Sequence, residues 1–190
     1  IENDIVLGRK LVVLDLVRNV HTELALLDAV AHVLARIRRQ RCQFDASRTR
    51  LDIEKELLGY CARHRIGVVA YSPMQRGLLT GKFSPQRLAA LPADDHRRRM
   101  PEFQDPAFSA SLELVEGLQK IAQRHGRTVA QLAISWVLRR PEVTSAIVGA
   151  RRPSQIQETV GAADWSLGQE DIVAIERLLA EREERLAGSL

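Results

Sequence analysis

Apolar positions recur along this chain in two rhythms that alternate. Short β-branched runs at Leu11–Leu16 (LVVLDL), Ile66–Tyr71 and Thr144–Val148 have the length and content of buried strands. Between and after them, apolar residues fall at helical spacing. Glu23–Arg38 carries Leu24, Leu27, Val30, Leu34 and Ile37, and ends in the basic stretch Arg36–Arg41 that suits the negative pole of a helix. Asp52 can cap a helix bearing Ile53, Leu57, Leu58 and Cys61 that ends near His64. A further helix spans Ser109–Arg124, and the capping box Thr128-x-x-Gln131 opens another that reaches Leu138, with Trp136 expected in the core. Pro153 stands at the first turn of a helix over Ser154–Ala162, and a second box, Ser166-x-x-Gln169, opens a last helix through Leu186.

Strand and helix therefore alternate, which predicts a parallel α/β architecture, either a barrel or a doubly wound sheet. No G-x-G-x-x-G opens a helix, which weighs against a dinucleotide-binding doubly wound sheet. Gln43–Arg50 reads as a loop, and the proline-containing, charged stretch Phe83–Pro106 as a long one with a short helix near Pro85–Leu91.

Composition narrows the class. At 190 residues, with 45% hydrophobic and 27% charged positions, the chain can bury one sizeable core. No run approaches the roughly 20 apolar residues of a membrane span, and Glu2, Asp4, Arg9 and Lys10 do not form a secretory leader, so a cytoplasmic protein is expected. Cys42 and Cys61 are too few for a disulfide framework and lack metal-ligand spacing, so no metal is expected. The net charge is +4, and 24 of the 28 cations are arginines, clustered at His96-Arg97-Arg98-Arg99 and Arg151-Arg152, where they can face phosphate groups. Aromatics make up only 4%, too few for the stacking platform of a single-strand binder, and no nucleic-acid partner is expected.

Candidate chemistry concentrates in two loops. In Gly67–Lys82 (GVVAYSPMQRGLLTGK) the strand breaks at Ser72-Pro73 into a loop with Gly77, Gly81, the hydroxyls of Ser72 and Thr80, and a terminal cation, Lys82. These are parts of an anion site, although an ordinary strand, turn and surface lysine fit the same composition. After Thr144–Val148, Gly149 and Arg151-Arg152-Pro153 lead into a helix N-terminus, a second place where a phosphate would be stable. Arginines that merely solvate a helix start are the alternative there.

GVVAYSPMQRGLLTGK, ADDHRRRMPEFQ (Ala93–Gln104) and TVAQLAISWVLRRPEVTSAIVGARRPSQIQETV (Thr128–Val160) resemble, in order, the C-terminal half of the aldo/keto reductase family. The resemblance implies part of a (β/α)8 TIM barrel, with residues 43–190 as its NADP-binding portion and 1–42 as a separate strand-helix segment. It implies NADP(H) as cofactor and a small-molecule carbonyl as substrate. Tyr71 would stack on the nicotinamide. Ser72, Pro73, Met74, Gln75, Arg76 and Lys82 would wrap the pyrophosphate, and Gly149, Arg151, Gln155 and Glu158 would hold the 2'-phosphate and adenine. Gln43 would bind the carboxamide. Thr159 departs from the family's usual Asn.

The family's proton donor is a tyrosine assisted by lysine and aspartate, with a histidine orienting the substrate. Of the two tyrosines here, Tyr60 falls in a helix and Tyr71 in the stacking position, and only Lys10 among the lysines is left unplaced. Leu11–His21 resembles the family's fourth strand, which makes His21 the candidate histidine. An NADP-dependent carbonyl reductase, truncated and inactive by itself, and a catalytically silent nucleotide-binding or interaction protein both remain open. A partial barrel exposes strand edges, so self-association is expected.

Overall fold

The computed structural model describes residues 11–15, 54 and 57–188. The helix expected over Glu23–Arg38, the loop Gln43–Arg50, and the candidates His21 and Gln43 lie outside the described residues. The elements are β1 (Leu11–Asp15), α1 (Leu57–Arg63), β2 (Val68–Tyr71), α2 (Pro85–Ala89), α3 (Ala107–Arg124), α4 (Val129–Leu138), β3 (Val143–Ala150), α5 (Pro153–Val160) and α6 (Gln169–Ala187). Three 3-10 turns, Gln75–Thr80, His96–Arg99 and Pro101–Phe103, join β2 to α3 around α2.

The three strands form one parallel sheet in the order β1-β3-β2. Parallel neighbours need crossover connections, and α3 and α4 supply the one between β2 and β3. All C-terminal strand ends therefore point the same way, and the loops after β2 and β3 meet there.

Several boundaries differ from the sequence pattern, each for a local reason. Strand β2 begins at Val68 rather than Ile66 because α1 closes with Arg65 in the left-handed region (φ 55°) and Ile66 N–H donating to Cys61 O at 2.8 Å, which uses Ile66 in the helix end. Strand β3 runs on through Gly149 to Ala150, because β1 continues the ladder with Leu14 opposite Gly149 and Asp15 opposite Ala150. The box expected at Ser166 does not form; Gly168 is the N-cap of α6, and the helix starts where Asp171 reaches the end of α3. The box at Thr128 forms in full, with Gln131 N–H donating to Thr128 Oγ1 at 3.2 Å and Thr128 N–H to Gln131 Oε1 at 3.0 Å.

The core has three parts. Val68, Ala70, Ala146 and Val148 of the sheet pack with Leu58 and Cys61 of α1 and Ile134, Val137 and Leu138 of α4. Leu114, Leu118 and Ile121 of α3 pack with Leu132 of α4 and Ile175 of α6. Trp136 is only half-buried, its ring covered by the Arg139 guanidinium 3.4 Å from the centroid. The third part, Leu78, Phe103 and Phe108, pins the segment between β2 and α3 against the glycine loop. That segment is thus a folded strap rather than an open loop.

Candidate functional site

A cleft of about 380 Å³ opens at the C-terminal ends of β2 and β3, lined by Arg76, Pro92, Asp94, Asp95, His96, Arg97 and Arg151. Three segments far apart in sequence build it: the loop after β2, the strap, and the turn between β3 and α5. Of the two basic clusters singled out by the sequence, His96 and Arg97 from one and Arg151 from the other line this space, while Arg98, Arg99 and Arg152 do not.

The loop after β2 is conformationally strained. Ser72, Gln75 and Arg76, none of them glycine, have φ of 56°, 47° and 52°, followed by Gly77 at 96° and Gly81 at 71°. The loop's own carbonyls take up several of its N–H groups, Gln75 N–H donating to Ser72 O at 2.9 Å and Gly77 N–H to Met74 O at 3.0 Å, and such strain persists only where surroundings enforce it. The surroundings here are explicit. The Arg76 guanidinium donates to Glu102 at 3.1 Å, and Arg97 Nη1 donates to the Arg76 carbonyl at 3.4 Å. Leu78 is fully buried beneath the strap.

Arg97 is in turn locked by Asp95, whose two oxygens accept from its Nε at 2.9 Å and Nη2 at 2.5 Å, while Asp95 also caps the 3-10 turn through Arg97 N–H at 3.0 Å. The Arg97 hydrogen bond holds the Asp95 carboxyl well below the usual carboxylate range, and Asp95 raises the Arg97 guanidinium correspondingly. Phe83 lies under both Arg87 and Arg97, each 5.5 Å from its centroid.

The sequence candidates separate into three groups. Tyr71 is half-exposed at the end of β2, and Arg76 and Arg151 line the cleft. Pro73 and Gln75 are buried and Met74 packs on the sheet core, so these three support the loop from within, with Ser72 at its left-handed entry. Lys82 and Glu158 form an ion pair at 3.6 Å that ties the loop to α5. Gln155 Oε1 accepts from the N–H groups of Arg151 (2.7 Å) and Arg152 (3.2 Å), so two donors expected to face a phosphate are satisfied by this side chain. Gly149 is exposed, and a Cβ there would meet nothing within 4 Å. Thr159 is buried, its hydroxyl donating within its own helix to the carbonyls of Gln155 and Ile156.

Asp94, Asp95 and Glu102 were not candidates in the sequence. Asp95 and Arg97 sit two positions apart at a 3-10 start, a spacing that hints at their pairing; nothing in the sequence relates Glu102 to Arg76, which precedes it by 26 positions. Among the described residues no group of His, Cys, Asp and Glu could hold a metal ion.

The aldo/keto reductase family profile matches residues 30–180 of this chain. The chain belongs to that family, whose fold is a (β/α)8 barrel. It is 35% identical over 129 residues to the aldo-keto reductase YhdN of Bacillus subtilis, covering 67% of this chain and 38% of that protein. It is 33% identical over 137 residues to the Schizosaccharomyces pombe aldo-keto reductase yakc [NADP(+)], covering 70% and 39%. Its structure resembles that of the glycerol dehydrogenase AKR11B4 from Gluconobacter oxydans at a TM-score of 0.60 and 36% identity, over 69% of this chain and 39% of that one. The chain thus spans about two fifths of the length of these relatives.

Proposed function

We propose that this chain forms the cofactor-binding side of an NADP(H)-dependent aldo/keto reductase that reduces small carbonyl compounds to alcohols. The observation that carries the reading is the convergence of Arg76, Arg97 and Arg151 in one cleft at the strand ends, with Tyr71 exposed at the end of β2. With Arg97 paired to Asp95 and Arg76 to Glu102, Arg151 is left to meet an anion, and the size of the cleft suits the phosphate-bearing part of a dinucleotide. Arg151 and Arg76 would hold phosphate oxygens, the strained loop would follow the pyrophosphate, and Tyr71 would offer its ring to the nicotinamide. When bound, the cofactor supplies a hydride to the carbonyl carbon.

The proton for the alcohol oxygen must come from elsewhere. Tyr60 lies on α1, which leads into the N-terminal end of β2 opposite the cleft, with its ring 4.1 Å from that of His64. Tyr71 occupies the stacking position. That distribution of the chain's two tyrosines supports a second reading, a nucleotide-binding or interaction protein without reductase activity of its own. Self-association belongs to the same proposal: β1 and β2 are the outer strands of the described sheet, and outer strands pair readily. A cytoplasmic location is likewise proposed; no helix among the described residues is long and apolar enough to cross a membrane.

Titration with NADPH, read by the cofactor's own emission, tests the reading. Saturable micromolar binding that weakens roughly five- to tenfold in Arg151→Ala is expected, the loss of one charge-assisted contact at an exposed site. Protein emission is a poor readout, because Trp136 and Trp165 both pack with the α3–α4–α6 cluster rather than at the cleft. Absence of binding at millimolar NADPH would refute the cofactor reading.

A further inference from the structure

The charges that line the cleft are not equally available. Arg97 is committed to Asp95 and to the Arg76 carbonyl, and Arg76 shares its guanidinium with Glu102, which lies outside the cleft. The Arg151 side chain, by contrast, makes no hydrogen bond or ion pair among the described residues, its backbone N–H alone being engaged by Gln155. Asp94 is in the same position with the opposite sign. It is exposed, lines the cleft, and has no partner among the described residues, whereas neighbouring Asp95 is fully paired. The cleft therefore presents one uncommitted cation and one uncommitted carboxylate that do not pair with each other.

A bare polyphosphate would satisfy the cation and be repelled by the carboxylate. A phosphate attached to a ribose satisfies both, since phosphate oxygens accept from a guanidinium and ribose hydroxyls donate to a carboxylate. We propose that Asp94 is a specificity-determining residue of this site, selecting a ribose-bearing phosphate ligand over bare polyphosphate by accepting a hydroxyl hydrogen bond. The proposal rests on the NADP(H) reading and adds to it the group that recognises the sugar.

Calorimetric titration of the full chain with NADPH and, separately, with inorganic pyrophosphate, at fixed ionic strength, tests it in wild type, Asp94→Ala and Asp94→Asn. Removing an exposed charge near a bound anion is expected to tighten pyrophosphate about two- to fivefold in both variants. Asp94→Ala, which loses the acceptor, should bind NADPH no more tightly than wild type, so its preference for NADPH over pyrophosphate falls. Asp94→Asn keeps an acceptor oxygen without the charge and should tighten both ligands. Pyrophosphate affinity unchanged in both variants would overturn the proposal, as would equal tightening of both ligands in Asp94→Ala. If wild type binds NADPH and either of those results follows, only the role of Asp94 is lost; if no form binds either ligand, the NADP(H) reading is lost with it.

Discussion

Asp95 shows how one side chain can set a site. It caps a turn, neutralises an arginine, and through Arg97 reaches the carbonyl of a left-handed Arg76. Its folded-state pKa lies well below its ordinary value of 3.8, so the folded chain resists protonating it. Its contribution to stability is therefore complete above about pH 3.8 and declines as the pH falls toward the depressed value. The difference in thermal midpoint between wild type and Asp95→Asn should stay constant from pH 7 to about 4 and shrink only in stronger acid. A difference that stayed unchanged on into strong acid would show that Asp95 is not held by Arg97. Residue identity made much of this site legible: arginine clusters, glycines and Tyr71 stand out in a sequence by their chemistry. The pairings of Arg76 with Glu102 and of Lys82 with Glu158 do not, because they join residues 26 and 76 positions apart that only the packed strap and α5 bring together.

At the scale of elements, the strap and the α3–α6 pair depend on few anchors. Phe103, with 1% of its surface exposed, sits between Phe83 and Phe108, with centroids at 5.2 and 6.3 Å, and holds the strap over Leu78. Phe103→Ala should cost about 3–5 kcal/mol in urea unfolding, and NADPH affinity should fall because Asp95, Arg97 and Glu102 lose their footing. On the opposite side of the chain, buried Asp171 at the start of α6 accepts from Arg124 at 3.0 Å and lies 2.8 Å from His125 Nε2, whose ring is 5.3 Å from Trp165. A carboxylate in the first turn of α6 also complements the helix dipole. Asp171→Ala should destabilise the chain by about 1–3 kcal/mol, since its former partners can turn to solvent, and should shift Trp165 emission to the red. Helix interiors were readable from apolar spacing, but their ends were not always: Ser166 looked like a cap, and the helix begins instead where Asp171 finds its partners.

In the whole molecule, chemistry and support are segregated. The strand ends and their loops bring Arg76, Arg97 and Arg151 together beside three of the left-handed non-glycine residues, Ser72, Gln75 and Arg76, while α3, α4 and α6 form a packed layer. Parallel strands were legible as short β-branched runs, yet their order was not. That β1 pairs directly with β3, bringing Leu11–Asp15 beside Ala146–Ala150, follows from tertiary packing that no local pattern encodes. A cofactor on this framework should touch only one end of it. Hydrogen exchange with and without saturating NADPH measures that directly. Protection is expected at residues 72–82, 93–103 and 149–158, with no change across 107–124 and 169–187. Protection confined to the α3–α6 layer, or none at any segment, would contradict the account.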